Sequence, residues 1–186
     1  MRMFVAIDLD DLAKAAVARE QQLAWKLSAK ASIKFVNPEQ AHLTLAFLGQ
    51  VAPPLTDRLI DAMRAPIDAA PFRMAFGSLG VFPPRGAPRV LWLAVSEGAA
   101  NVRAVQPIVA RRLEALGITL EDREFHPHLT IGRWKQARPS DRPSLAAGTR
   151  AIGEMTVDRV TLYESRLSSE GPTHIARAHA PLIPTS

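Results

Sequence analysis

Residues 41–49 read AHLTLAFLG and residues 126–133 read HPHLTIGR; each carries one phrase, His42-Leu43-Thr44 in the first and His128-Leu129-Thr130 in the second. Successive side chains of a strand point to opposite faces, so His42 and Thr44 share one face while Leu43 and Leu45 share the other. The same split separates His128 and Thr130 from Leu129 and Ile131. Each phrase therefore predicts a strand anchored on its apolar side that presents an imidazole and a hydroxyl on its polar side. Two such strands facing one another bring two proton-transfer groups and two hydroxyls to one point, which suits a tetrahedral anion. A single His-x-Thr on a strand is unremarkable, because Thr favours strands and an isolated His is usually structural. Its recurrence in the other half of a chain with only five histidines is required neither by propensity nor by packing.

Composition bounds the rest. At 186 residues the chain is long enough for one well-buried domain. Its apolar and charged fractions, 47% and 22%, are ordinary for a globular protein and exclude the disordered and membrane classes. The apolar start is cut off by Asp8, Asp10 and Asp11, leaving no secretory core segment, and no transmembrane stretch follows. The absence of cysteine removes disulfides, Cys-based zinc sites and thiol nucleophiles together. These readings imply a soluble, cytoplasmic protein. The net charge of +5, carried mostly by arginine, is compatible with a phosphorylated or nucleic-acid partner.

Working outward from the motifs, the spacing predicts a buried strand over residues 3–9, then a helix capped by Asp10 or Asp11. That helix has an apolar stripe of Leu12, Ala16, Leu23 and Leu27 and ends near Lys30. A short strand over 33–36 leads through Asn37-Pro38 to the first motif strand, 42–48, closed by Gly49. Pro53-Pro54 opens a second helix through Leu55, Leu59, Met63 and Ile67. Strands follow over 72–76 and 79–82, broken at Gly77-Ser78, and over 90–95, a run apolar enough for burial on both faces. A third helix covers 101–116, with Pro107 implying a kink or a later start. The second motif strand spans 125 to 133 or 134, residues 135–148 form an exposed loop, and strands over 152–163 and 173–178 complete the chain. Mixed strands and helices with hairpin-like neighbours favour α+β with antiparallel sheets over a doubly wound parallel sheet.

The residues quoted so far, together with MRMFVAIDL, AHLTLAFLGQV, VFPP with RVLWLAV, FHPHLTIGRW and VTLYESRLSSEGPTH in that order, resemble the 2H phosphoesterases. Within them the chain resembles the RNA 2',3'-cyclic phosphodiesterases, also called 2'-5' RNA ligases. The resemblance covers nearly the whole chain. It implies one domain over residues 1–186 with two pseudo-symmetric lobes, each an antiparallel sheet with flanking helices, around a central cleft into which both motifs point. It further implies a substrate of RNA or oligonucleotides ending in a 2',3'-cyclic phosphate, hydrolysed to a 2'-phosphate; the protein is expected to be a monomer with no cofactor, and with no metal because two histidines supply acid and base and no ligand set is visible. By resemblance His42 is the proton donor to the leaving oxygen and His128 the acceptor that activates water; the residues alone leave those two roles open.

The chemistry is consistent with that reading. Imidazole titrates near pH 6.5, so one His is neutral and the other charged at the same pH, and two opposed histidines meet the proton requirement of hydrolysis. Thr44 and Thr130 would donate hydrogen bonds to the non-bridging oxygens, where charge concentrates in the transition state. Arg133 is a further phosphate candidate because the family carries an Arg at the matching position; it has the wrong parity relative to His128 unless a bulge intervenes, for which Gly132 is well placed. Phe4, Phe35, Phe82, Trp92 and Trp134 are candidate base-stacking platforms, of which at most two are expected to serve. His126, His174 and His179 are assigned structural or surface roles, and Arg89 none.

Two rival readings stand beside this one. A metal-dependent phosphohydrolase would use His126 and His128, two apart on one strand, with a third ligand elsewhere. A non-catalytic RNA-binding module would use the basic surface without turnover, but phosphate binding alone more naturally employs Arg and Lys than paired His and Thr.

Overall fold

In the computed structural model the described residues are 1–27, 33–122, 124–144, 151–168 and 171–184. The chain runs β1 (Arg2–Asp8), α1 (Asp11–Leu27), β2 (Ile33–Phe35), β3 (His42–Gln50), α2 (Pro53–Ala62), β4 (Phe72–Phe82) and β5 (Val90–Glu97). It continues with α3 (Ala99–Glu114), β6 (His128–Trp134), β7 (Ile152–Val157), β8 (Arg159–Ser168) and β9 (Gly171–Pro181). These strands form two sheets, ordered β3-β1-β8-β9 and β2-β6-β5-β4-β7, in which every named strand pair is antiparallel. The fold is α+β with antiparallel sheets, as the order of elements predicts, in two lobes, as the resemblance implies, and each sheet contains one motif strand. No helix among the described residues is long and apolar enough to cross a membrane.

The lobes share their core through the apolar sides of the motif strands. Leu43, Leu45, Leu129 and Ile131 are all buried, so the alternation in each phrase resolves as read. Helix α3 contributes Val102, Val105, Val109 and Leu113, each fully excluded from solvent and each stabilising by about 1.5–3 kcal/mol. It runs unbroken from Ala99 through Pro107, starting before the expected position rather than after it.

Several expectations are corrected. Helix α1 is capped by the Asp10 side chain, which accepts from the Ala13 N–H at 2.8 Å, but its buried face is Ala13, Val17 and Ala24, while Leu12 and Leu23 are exposed. The reason is close approach: a Cβ added at Gly153 on β7 would lie 3.0 Å from the Ala13 Cα, so this helix meets its sheet through small residues. The expected end near Lys30 lies outside the described residues. Helix α2 stops at Ala62, and Ile67 instead bridges Leu182. Residues 72–82 form one strand whose register shifts between Phe76 and Leu79 against β5, so Gly77-Ser78 marks an irregularity rather than a break. In β5 Leu91 and Leu93 are buried, whereas Trp92 and Ala94 are only half-buried, because their face lines the site described below. Residues 152–163 are two strands in different sheets, divided at Asp158; the alternation is continuous but the partners change. The last strand extends to Pro181, and part of the loop expected over 135–148 lies outside the described residues.

Candidate active site

The two motif strands sit in different sheets and pack against each other. On β3 the face of His42 and Thr44 is shared with Asp8 and Ala6 of β1, which stand directly across from them. On β6 the face of His128 and Thr130 is shared with Ala94 and Trp92 of β5. All four motif side chains are half-buried. Among the described residues neither Thr hydroxyl makes a hydrogen bond, so both are available to a ligand.

Both histidines are held by the same device. The Nδ1 of His42 lies 2.7 Å from the Gln40 carbonyl oxygen, and the Nδ1 of His128 lies 2.7 Å from the His126 carbonyl oxygen. A carbonyl only accepts, so Nδ1–H is the donor in each ring and Nε2 is the basic nitrogen of its neutral form. The backbone two residues upstream thus fixes tautomer and ring orientation twice over, a role commonly filled by a carboxylate or carbonyl behind a working histidine.

Arg133 reaches the same place. Opposite β5 the register slips between Leu91 and Trp92, so that Trp92 faces Thr130, Leu91 faces Gly132 and Val90 faces Arg133. The extra residue in β6 turns Arg133 onto the face of His128 and Thr130, and Gly132 accommodates Ile33, whose side chain would meet an added Cβ at 2.8 Å. The guanidinium is close enough to His42, on the opposite sheet, to disfavour its imidazolium form. The bulge required by the sequence is therefore present, and it connects the two lobes electrostatically.

The surroundings of the two histidines differ. His42 lies over Phe4 at a centroid distance of 4.7 Å and meets His174 edge-on at 5.1 Å. In a flat sheet β3 and β9, three places apart, would be separated by about 14 Å, so this contact shows the four-stranded sheet curling around His42. Asp8 accepts hydrogen bonds at 2.5 Å from Tyr163 and from Thr161, whose oxygen in turn accepts from His179 at 2.9 Å. Burial pulls the pKa of His42 below 6.5, the Gln40 carbonyl and Asp8 oppose that shift, and Arg133 reinforces it. Burial, together with the charge of His42, pulls His174 down to about 4. His128 instead meets the edges of Phe82 and Trp92, at 5.5 and 6.0 Å. Those two rings stack on each other at 4.9 Å, and the indole occupies the space above Gly80 that any Cβ would fill.

Of the five candidate aromatics, Phe4 and Trp134 are buried and Phe35 lies against Trp25 of α1, away from the site. Phe82 and Trp92 stand beside His128. His126 precedes β6 rather than lying on it, and its ring turns toward Glu124 at 3.6 Å, so the strand pairing that a metal site would have used is not formed. Among the described residues no three His, Asp or Glu side chains cluster as metal ligands. His174, assigned a structural or surface role in the sequence, is part of the wall around His42. Asp8 was also missed: its position opposite His42 is set by strand register, which local pattern does not encode. A separate groove of about 460 Å³ between α1 and β2, lined by Trp25, Phe35 and Pro38, contains neither motif histidine nor Arg133.

A model of the 2'-5' RNA ligase superfamily matches residues 11–168. An RNA 2',3'-cyclic phosphodiesterase of Archaeoglobus fulgidus is 33% identical over 175 residues, covering 94% of this chain and 96% of the relative, and one of Methanothermobacter thermautotrophicus is 34% identical over 94% and 95%. The crystal structure of TT0787 of Thermus thermophilus superposes with a TM-score of 0.81 at 28% identity, covering 98% of both chains.

Proposed function

The chain belongs to the 2'-5' RNA ligase superfamily, and from that premise we propose that it hydrolyses the 2',3'-cyclic phosphate at RNA ends to a 2'-phosphomonoester by acid–base catalysis with two histidines and no metal. The observation that carries the reading is a pair of identically clamped histidines on two motif strands that pack together, with Arg133 of one lobe acting on His42 of the other. The named activity of the relatives supports the same substrate class.

The proton inventory closes on these residues. His128 Nε2 takes a proton from water as its oxygen attacks phosphorus; the bond from phosphorus to the 3'-oxygen breaks; His42 Nε2–H protonates that oxygen as it leaves. Thr44 and Thr130 donate to the non-bridging oxygens, and Arg133 neutralises the charge that builds there. In the protein alone the imidazole form of His42 is favoured at pH 7, because burial and Arg133 both disfavour its cation. A bound phosphate monoanion offsets the influence of Arg133 and adds attraction of its own, so substrate binding itself charges the donor. With a 5'-hydroxyl in place of water the same steps form a 2'-5' phosphodiester: His128 takes the hydroxyl proton as its oxygen attacks phosphorus, the bond to the 3'-oxygen breaks, and His42 protonates that oxygen; the reverse of this step cleaves a 2'-5' bond to a cyclic phosphate and a 5'-hydroxyl.

The test is incubation of RNA ending in a 2',3'-cyclic phosphate with the protein in EDTA, followed by mapping of the ends. A 2'-phosphate product in chelator is expected. Activity that is lost in EDTA and restored by zinc or manganese returns the reading to a metal-dependent hydrolase, and binding without turnover returns it to an RNA-binding module. A 3'-phosphate product leaves the chemistry standing but removes His42 as donor to the 3'-oxygen.

A further inference from the structure

We propose that Lys34 on β2 binds the phosphodiester that precedes the reacting phosphate, making this site selective for polynucleotide ends over cyclic mononucleotides; the inference rests on the reading above. Strand β2 is three residues long and lies at the edge of its sheet, paired only to β6. Its register sets Lys34 directly opposite Arg133, and paired residues of an antiparallel ladder direct their side chains to the same face. The bulge that turns Arg133 toward His42 therefore turns Lys34 with it. The ammonium also spans the lobes: a Cβ added at Gly171, where β9 begins in the other sheet, would lie 3.8 Å from Lys34 Nζ.

Among the described residues neither Lys34 nor Arg133 forms an ion pair or a side-chain hydrogen bond. Asp8, the carboxylate on the face of His42, is itself engaged by two hydroxyls. Two adjacent unpaired cations one strand spacing apart suit two successive phosphates better than one. Arg133 is the member whose charge acts on His42, so it belongs to the reacting group, and Lys34 lies one strand further out, at the end of the site. On an RNA end, the next phosphate from the reacting one is the diester on the 5'-oxygen of the same nucleotide. A nucleoside 2',3'-cyclic phosphate lacks that group and a dinucleotide carries it. Lysine suits this position because a flexible point charge tolerates the varied path of a single strand.

The experiment compares a nucleoside 2',3'-cyclic phosphate with a dinucleotide 2',3'-cyclic phosphate on wild type, Lys34→Ala and Lys34→Arg, with thermal melting as a check on folding. For Lys34→Ala the dinucleotide KM is expected to rise about fivefold, with a salt slope of kcat/KM shallower by about 0.7, the mononucleotide is unaffected, and Lys34→Arg restores most of the loss. Equal losses on both substrates, or none on either, overturn the proposal. Anisotropy titration with a fluorescent oligonucleotide 2'-phosphate, competed by a nucleoside 2'-phosphate, reads the Lys34 contact without turnover. If wild type cleaves neither substrate, the proposed function falls, while the titration still decides whether Lys34 holds the chain phosphate.

Discussion

His42 and His128 occupy the same place in the same phrase, and each is clamped through Nδ1 by the carbonyl two residues upstream, yet their surroundings are unalike. Asp8 stands across the ladder from His42, and Ala94 stands across from His128. His42 lies over a buried ring within a curled sheet; His128 meets the edges of two half-buried rings. The difference teaches that a repeated motif supplies two interchangeable groups and that the neighbouring strands give each its own work.

The largest effects should come from the histidines themselves. His42→Ala and His128→Ala are each expected to lower kcat by at least about 10²-fold, and near-normal turnover in either would break the two-histidine mechanism. Next, Thr44→Ala and Thr130→Ala should lower kcat by about tenfold or more while changing KM little, since their hydroxyls matter most as charge builds on the phosphoryl oxygens. A pure KM effect at either position would make it a binding residue and separate the halves further. Asp8→Asn should reduce kcat/KM at pH 7 severalfold, because Asp8 favours the His42 imidazolium. Removing that carboxylate lowers the pKa further, so the alkaline limb of the kcat/KM profile, already expected below pH 6.5 for a proton donor held down by burial, moves to still lower pH. A limb that does not move in this variant would show that the alkaline limb does not belong to His42. The kcat limb should lie at higher pH than the kcat/KM limb in wild type, because bound phosphate charges the donor.

The smallest effect concerns stability. His174 is held near pKa 4 against an ordinary 6.5, so the unfolded chain takes up a proton that the folded chain refuses. Stability is therefore full above about pH 6.5 and is lost as pH falls toward 4. His174→Gln should flatten acid unfolding over that window, as followed by far-UV circular dichroism, with His42 supplying the remaining slope.

The α+β class and both motif strands were legible because they depend on local alternation, and alternation showed the need for a bulge before Arg133 only once the resemblance had marked that residue. The face of α1 was not, since Leu12 and Leu23 lie outward while Ala13 and Ala24 pack inward, and propensity cannot anticipate a helix that approaches its sheet closely. The division at Asp158 was hidden because alternation continues across it while the pairing partner changes from β4 to β1 and β9. Asp8, Lys34 and the split among the aromatics depend on register between distant strands, which no window of sequence contains.

That long-range register has a kinetic consequence. The wall around His128 is assembled from Phe82, Trp92 and the motif itself, all within one continuous stretch of the chain, whereas the wall around His42 needs Phe4 of β1 to meet Tyr163 of β8 and His174 of β9. Closing the loop that pairs Arg2 with Ser165 is entropically the harder step. On refolding, the fluorescence of Trp92 should therefore settle before activity returns, and the chain cut between the two motifs should regain neither half of the site as a working unit, because the first lobe is closed by strands made last.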